Sequence, residues 1–176
     1  MKSLESQSTK SLTAERIEER HFPEICRLHS DREVMRTLSA DGEVLSEAQT
    51  REGLERQCAH WERHGFGLWV FREMGSGEFV GRGGMQFSDI EGEPEPVVGL
   101  AYAVLSEYWG RGYATEMASL CLAVASEDLG RDRVSSWTLP SNRASQRVME
   151  KVGFEYRREF TFAGLEHWYY EIGIGE

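Results

Sequence analysis

Two glycines in the segment Leu105–Glu116 mark a turn that could bind an anion. The segment follows an almost unbroken apolar run, Val97–Leu105, and precedes apolar residues at helical spacing from Met117 onward. These patterns predict a strand buried on both faces and then an amphipathic helix. Gly110 and Gly112 leave the backbone open to close approach, and the first N–H groups of a helix attract anions. The turn therefore suits a phosphate or pyrophosphate, unless it is only a tight structural turn.

A second polar pair stands at the start of a later predicted helix. Asn142 and Ser145 are three positions apart, shortly after the predicted strand Arg133–Leu139. That spacing places them on neighbouring edges of one helical turn. The structural alternative is that Asn142 caps the helix and Ser145 faces solvent.

Other candidate sites have weaker support. His60 and His64 lie four apart on one predicted helix and could hold a metal ion, but no third ligand is evident. Glu62 does not stand where a zinc-protease motif requires its glutamate, so we expect a solvated helix end and no metal. The glycine turn also half-matches a dinucleotide-binding fingerprint, except that Thr115 replaces the third glycine.

The composition of the chain limits its ligand classes. The 176 residues carry a net charge of −10, from 30 acidic and 20 basic side chains. Nucleic acid requires a basic face and is not expected as a partner, whereas a cationic small molecule or a basic polypeptide is favoured. No apolar run approaches the roughly 20 residues of a membrane span and no signal-peptide region is evident, so we expect no membrane association and a cytoplasmic location. Cys26, Cys58 and Cys121 are expected to be free thiols.

The elements that must position these residues alternate between helix and strand patterns. Ser46-Glu-Ala-Gln49 is a capping box that predicts the start of a helix reaching about His64. Residues 1–10 are polar and are expected to be a flexible terminus, which leaves residues 11–176 as one domain. The predicted strands are Ser11–Arg16, Phe66–Arg72, Phe79–Phe87, Val97–Leu105, Arg133–Leu139, Phe154–Phe162 and His167–Ile174.

We expect an α/β fold with a mixed sheet of about seven strands and about four helices. The order strand, helix, strand, helix between Val97 and Val152 predicts parallel neighbours with right-handed crossovers, and antiparallel hairpins on either side. The aromatic last strand and an exposed sheet edge would permit a homodimer.

Two motifs, taken in order, resemble the GCN-five-related N-acetyltransferase (GNAT) superfamily. The family's Q/R-x-x-G-x-G/A turn corresponds to Trp109–Ala114, and its N-x-x-S…E-K-x-G-F segment corresponds to Asn142–Phe154. His29–Met35 and Phe79–Arg82 are similar to the branch that contains the Rim-type N-terminal acetyltransferases of ribosomal proteins. The resemblance covers nearly the whole chain after Ser11.

The resemblance implies a single GNAT-like domain whose splayed central pair of parallel strands holds acetyl-coenzyme A (acetyl-CoA). The pantetheine arm would pair with the backbone of Val104 and Leu105, and Asn142 would bond to it or orient the thioester. The pyrophosphate would lie on the peptide groups of Trp109, Gly110, Arg111, Gly112, Tyr113, Ala114 and Thr115.

The implied reaction is direct attack of a primary amine on the thioester, with a backbone N–H near Val104 as the oxyanion donor. Many relatives carry a tyrosine acid where this chain has Met149. Ser145 is the remaining candidate for protonating the thiolate, and water is the alternative.

The identity of the general base is also left open, because Gly99 stands where relatives often place a glutamate. A water chain ending at Tyr102, at Glu107 or at a loop carboxylate is the candidate replacement. Tyr102 and Trp137 are the residues we expect nearest the acceptor, since the family's cleft lies between their strands.

Two acceptor classes are compatible with the resemblance and with the negative charge. One is the N-terminus of a protein or peptide, and the other is a small cationic amine such as a polyamine or an aminoglycoside-like compound. The region His29–Glu43 is expected to decide between them. The opposed hypothesis is a non-catalytic acyl-CoA-binding module, which the two departures from the family pattern keep open.

Overall fold

A computed structural model describes residues 3–175 of the chain, so Met1, Lys2 and Glu176 lie outside the description. The strands are β1 (Ser6–Ser8), β2 (Leu12–Arg16), β3 (Leu68–Glu73), β4 (Phe79–Ser88), β5 (Val97–Val104), β6 (Arg133–Thr138), β7 (Glu155–Phe162) and β8 (Leu165–Gly173). The helices are α1 (Phe22–His29), α2 (Arg32–Leu38), α3 (Glu47–His64), α4 (Tyr113–Glu127) and α5 (Arg143–Lys151), with single 3-10 turns at Glu19–His21 and Ser106–Tyr108.

The strands form one mixed sheet in the order β1-β2-β3-β4-β5-β6-β8-β7. Only β5 and β6 pair in parallel within the described chain; the other neighbours are antiparallel. The expected α/β class with a central parallel pair is therefore confirmed. Residues 3–175 contain eight strands and five α-helices, slightly more than expected.

The start of the chain is more regular than its composition predicts. Within the segment expected to be a flexible terminus, β1 pairs antiparallel with β2 and places Ser6 opposite Glu15. The indole N–H of Trp69 donates to the Leu4 carbonyl at 2.8 Å. Pairing through backbone groups needs no apolar alternation, so this polar segment carried no strand signal in the sequence.

Local signals set the ends of α3 as expected. The Ser46 hydroxyl accepts from the Gln49 N–H at 3.2 Å, and the Gln49 side chain accepts from the Ser46 N–H at 2.9 Å. This is the predicted capping box. Gly65 ends the helix in the left-handed region at φ 73°, which glycine adopts without steric strain.

The sheet has two faces, and different helices cover them. Tyr102 bonds to Ser145 of α5, so Tyr102 points to the face that carries α4 and α5, here called the α5 face. On β4, Gln86 bonds to Gln57 of α3 at 2.8 Å and pairs with Gly99 of β5. Because side chains alternate along a strand, Gly99, Ala101 and Ala103 belong to this opposite side, here called the α3 face.

One apolar core joins the sheet to helices on both faces, and its largest fully buried side chains include Trp69, Phe66, Phe71 and Met85. A smaller cluster lies under β7 and β8 and contains Tyr169. No helix within residues 3–175 combines the length and the apolar character needed to cross a bilayer.

Candidate active site

The parallel strands β5 and β6 separate toward their carboxyl ends. Within the described residues they pair at one position, Gly99 opposite Ser135. The Leu105 N–H donates to the Val80 carbonyl at 2.9 Å. Because bonding positions alternate in an antiparallel ladder, the peptide groups of Tyr102 and Val104 face the gap instead of β4. The gap therefore offers backbone donors and acceptors to a ligand.

A cavity of about 540 Å³ opens at this gap and collects most of the predicted residues. Predicted site residues that line it are Tyr102, Val104, Trp109, Gly110, Gly112, Tyr113, Ala114, Thr115, Asn142 and Ser145. Leu105 is not among them, because its side chain is buried and its N–H is taken by Val80. The Arg111 side chain also turns away and pairs with Glu73 at 3.0 Å.

The glycine turn leaves the start of α4 free for an anion. Gly110 and Gly112 have φ angles of 77° and 81°, a conformation that other residues adopt only under strain. Gly112 is the N-cap of α4, and no side chain caps the helix there. Its first N–H groups therefore keep the unsatisfied donors and positive dipole end that bind phosphate groups.

Trp109 makes a contact that sequence reasoning missed. Its indole N–H donates to the Val104 carbonyl at 2.8 Å, and the side chain is half exposed. The indole thus occupies one of the backbone acceptors that face the gap. No local pattern indicates this bond, because it depends on how the loop folds back over the strand.

Asn142 and Ser145 have different positions in the site. Asn142 Oδ1 accepts from the Ser145 N–H at 3.1 Å, so Asn142 is the N-cap of α5, as the structural alternative proposed. Ser145 does not face solvent, because its Oγ lies 3.0 Å from the Tyr102 hydroxyl, which also donates to the Ser145 carbonyl at 3.1 Å. Burial raises the pKa of Tyr102 to about 12, although the Ser145 bond opposes the shift. Tyr102 is therefore a protonated hydroxyl at neutral pH and not a base.

Comparison with known proteins identifies the family. The family model described as an acetyltransferase (GNAT) domain matches residues 11–155. The chain belongs to the GNAT family. The YkkB protein of Bacillus subtilis is 30% identical to this GNAT chain over 131 residues, which cover 74% of this chain and 73% of YkkB.

Solved structures agree with the assignment. A GNAT-family acetyltransferase from Bordetella pertussis superimposes with a TM-score of 0.82 at 27% identity, covering 94% of this GNAT chain and 98% of its own. A RimL ribosomal L7/L12 α-N-protein acetyltransferase in complex with coenzyme A gives a TM-score of 0.75 at 16% identity, with coverages of 95% and 96%, and this likeness concerns the fold alone. The chain is accordingly an acetyl-CoA-dependent N-acetyltransferase.

The position of the missing GNAT glutamate is filled by an aromatic ring. A Cβ atom added to Gly99 would lie 2.6 Å from Trp137 Cη2, which is closer than real contacts allow. Trp137 therefore lies on the α3 face, above Gly99, and packs against Phe162 and Phe160. Trp137 and Tyr102, the two residues expected nearest the acceptor, therefore lie on opposite faces of the sheet.

The other departure from the GNAT pattern is Met149, at the position where many relatives carry a tyrosine acid. Met149 is fully buried in the apolar core and does not line the cavity, so this position supplies no acid. Glu107, one candidate base, is exposed outside the cavity and forms an ion pair with Arg27. The hydroxyl-bearing residues that do line it are Tyr102 and Ser145, together with Thr37, Tyr108, Tyr113, Thr115 and Ser141.

Asp31 is a second residue that sequence reasoning missed. Its Oδ1 accepts from the Glu33 and Val34 N–H groups at the start of α2, and its Oδ2 accepts from the Ser106 N–H at 2.9 Å and hydroxyl at 2.7 Å. Burial tends to raise the pKa of Asp31, but the Ser106 bonds hold it below its ordinary value. Asp31 thereby ties α2, whose Val34 lines the cavity, to the segment that follows β5. Its partner Ser106 lies 75 residues away in the chain, so no local pattern indicates the bond.

The histidine pair serves the structure. The Phe87 N–H donates to His60 Nε2 at 3.1 Å, and His60 Nδ1 lies 2.8 Å from the Phe66 carbonyl. Both ring nitrogens are thereby satisfied, and burial lowers the pKa of His60, which keeps it neutral. Residues 3–175 contain no group of three metal-ligating side chains, and the cysteines described are free thiols.

Proposed function

We propose that the chain transfers the acetyl group of acetyl-CoA to a primary amine by direct attack of the amine nitrogen on the thioester carbon. A C–N bond forms, the C–S bond breaks, the thiolate gains a proton and the ammonium product loses one. The observation that carries this proposal is the single cavity in which the free start of α4, the peptide groups of Tyr102 and Val104, and the Tyr102–Ser145 hydroxyl pair meet.

The donor would be held largely by backbone groups. The uncapped N–H groups from Gly112 onward suit its pyrophosphate, with Trp109, Gly110, Arg111, Tyr113, Ala114 and Thr115 completing the proposed turn. The gap-facing N–H of Val104 or of Tyr102 suits the pantetheine arm or the developing oxyanion. An anion site and exposed backbone groups are the two features that acetyl-CoA, a long chain with one anionic end, requires.

Asn142 would contribute through the amide group that capping leaves free. Its Oδ1 is used by the Ser145 N–H, whereas its NH₂ group has no hydrogen-bond partner within residues 3–175. An amide N–H donor at the start of α5 suits a pantetheine carbonyl or the thioester oxygen. Asn142 therefore both starts the helix and faces the donor.

The Tyr102–Ser145 pair is the proposed proton source for the departing thiolate. Tyr102 is kept protonated by its raised pKa of about 12, and its hydroxyl lies 3.0 Å from Ser145 Oγ. A proton leaving one hydroxyl could be replaced from the other. The attacking amine would lose its proton to solvent water, because neither Tyr102 nor the outlying Glu107 suits the role of base.

A panel of primary amines tests the proposal. The purified protein is incubated with acetyl-CoA and each amine, free thiol is followed over time, and the acetylated product is identified by mass. We expect at least one amine to raise thiol release well above the rate with water alone. Tight binding of coenzyme A with no such amine would contradict the enzyme proposal and support the acyl-CoA-binding module.

One variant separates the two tasks of Asn142. Asn142→Asp keeps an oxygen that can cap α5 but removes the NH₂ donor, whereas Asn142→Ala removes both. We expect both variants to raise the KM for acetyl-CoA, and only Asn142→Ala to lower the melting temperature appreciably. A normal KM in Asn142→Asp would restrict Asn142 to capping.

A further inference from the structure

Arg82 is a half-buried arginine without an anionic partner. It lies on β4, yet no hydrogen bond, ion pair or aromatic contact joins its side chain to any residue in the described part of the chain. Arg72 on the adjacent strand provides the contrast, since it is similarly placed and binds the carboxylates of Glu24 and Glu15. Burial lowers the pKa of Arg82 to about 10, with no nearby carboxylate to oppose the shift.

Alternation places Arg82 on the α3 face. Gln86 contacts α3. Arg82 lies four residues before Gln86 on the same strand, and the β4–β5 register does not shift between them. The two side chains therefore point to the same face of the sheet. Its partner across the ladder is Ala103, which lines the cavity. Arg82 therefore stands beside the cavity, on the side of the sheet opposite the proposed pyrophosphate site.

The strand beside Arg82 presents little side-chain bulk on the α3 face. The facing residues of β5 are Gly99, Ala101 and Ala103, which have little or no side chain, and the indole of Trp137 stands over Gly99. On the helix side, His29 of α1 is close enough for the charge of Arg82 to affect it. Burial first, and then Arg82, lower the pKa of His29 to about 4, so His29 is neutral.

The protein itself does not supply the missing anion. Arg82 forms no ion pair with any carboxylate within residues 3–175, and Asp31 and Glu107 are engaged by Ser106 and by Arg27. A guanidinium removed from water without a counter-charge is unfavourable, and its planar donors match a carboxylate in two parallel hydrogen bonds. The phosphates of the donor lie on the other face in the proposed site. The anion must therefore arrive with the acceptor.

We propose that Arg82 binds a carboxylate of the acceptor, and that the acceptor is a small amine of the amino-acid class. This inference rests on the proposed function and names its substrate. An amine that also carries a carboxylate has no net charge, so the −10 charge of the protein does not repel it. The carboxylate would lie at Arg82 while the amine reaches past Ala103, which lines the cavity, toward the thioester.

Matched acceptors test the inference. Each amino acid is compared with its amide, which keeps the side chain but lacks the negative charge; leucine with leucinamide and phenylalanine with phenylalaninamide are suitable pairs. Because the amide group lowers the pKa of the α-amine, rates are compared at equal concentrations of unprotonated amine. We expect kcat/KM to favour the acids by roughly 10-fold or more, the usual effect of a charge-assisted pair. Equal or better use of the amides would overturn the inference, and so would turnover of peptide N-termini alone.

Variants assign the preference to Arg82. Arg82→Met should abolish the preference for the acids while leaving kcat/KM for the amides within a few-fold, and Arg82→Lys should keep part of it. Arg63→Met, which removes an exposed arginine at the end of α3, is the control for net charge and should keep the full preference. Coenzyme A binding and the melting temperature report whether each variant is folded.

The two proposals fail in distinguishable ways. If no amine of any kind is acetylated although coenzyme A binds, the acetyltransferase function proposed above is wrong. If amines are acetylated but the wild-type protein shows no preference for amino acids over their amides, only the inference about Arg82 is wrong. A preference for the acids that survives in Arg82→Met would likewise overturn the assignment, without any effect on the proposed function.

Discussion

On the α5 face, β5 presents Tyr102 and Val104 to the starts of α4 and α5, and most of the available groups are peptide N–H and C=O groups. On the α3 face the same strand presents Gly99, Ala101 and Ala103, beneath side chains contributed by neighbouring strands. A site made from backbone tolerates substitutions that preserve the path of the chain. This explains why Trp109 can replace the family's glutamine or arginine. A site made from side chains changes with each substitution, and it is the side to which we assign acceptor choice.

The largest expected effect tests the hydroxyl pair on the α5 face. Tyr102→Phe removes the proposed proton source and should lower kcat about 100-fold, a typical contribution of general acid catalysis. Ser145→Ala should have a smaller effect, because Tyr102 remains. Tyr156→Phe, at a half-exposed position on β7, is the control. An unchanged kcat in Tyr102→Phe would show that the thiolate takes its proton from water.

The next effect concerns packing on the α3 face. Gly99→Val places a side chain against the Trp137 ring and should lower the free energy of unfolding by about 1–3 kcal/mol, as overpacking does. Adding Trp137→Ala should recover part of that loss. Chemical denaturation of the two single variants and the double variant gives the coupling between the positions. Additive losses of unfolding free energy in the double variant would show that the Trp137 ring does not occupy the space that the added valine side chain needs.

The backbone site should respond to changes in chain conformation alone. Gly112→Val imposes roughly 1–2 kcal/mol of strain at a left-handed residue and should raise the KM for acetyl-CoA about 10-fold by shifting the turn. Gly164→Val is a matched control, because Gly164 has a φ of 79° and open space around it, in a distant hairpin. It should be destabilised similarly with an unchanged KM. Equal KM values in both variants would remove the turn from the donor site.

The smallest effect concerns Asp31, which joins the start of α2 to the segment that follows β5. Asp31→Asn should lower the stability by about 1 kcal/mol at neutral pH, because it removes the negative charge that the helix start and the Ser106 donors stabilise. Because its folded-state pKa is depressed, the carboxylate stabilises the fold above its unfolded value of about 4, and this stabilisation is lost as pH falls below that value. Denaturation of wild type and variant at pH 3 and pH 7 should therefore show a smaller difference at pH 3. A constant difference would exclude the charge as its cause.

The features that the sequence could predict are those coded within a few residues. The capping box at Ser46, the N-cap at Asn142 and the glycine turn at Gly110 and Gly112 each depend on neighbours in the chain, and each was found where expected. The α/β class followed from the alternation of strand and helix patterns.

The remaining features depend on contacts between distant segments. The bond between the Asp31 carboxylate and Ser106 and the contact of Trp137 with Gly99 join residues far apart in the chain, and no spacing rule encodes them. Strand β1 was missed because backbone pairing leaves no apolar pattern. The unpaired state of Arg82 was equally invisible, since a missing partner can be recognised only after the surroundings are known.

The bond between Trp109 and Val104 has an optical consequence. The indole N–H donates to the Val104 carbonyl in the gap, so a ligand that takes the place of this donor displaces the ring. Trp109 is half exposed, whereas Trp61 and Trp69 are buried in the core, so a displaced Trp109 meets a new solvent environment while those two do not. The chain thus carries an intrinsic fluorophore at the mouth of its proposed donor site. The variant Trp109→Phe lacks this fluorophore and gives the background signal of the other tryptophans.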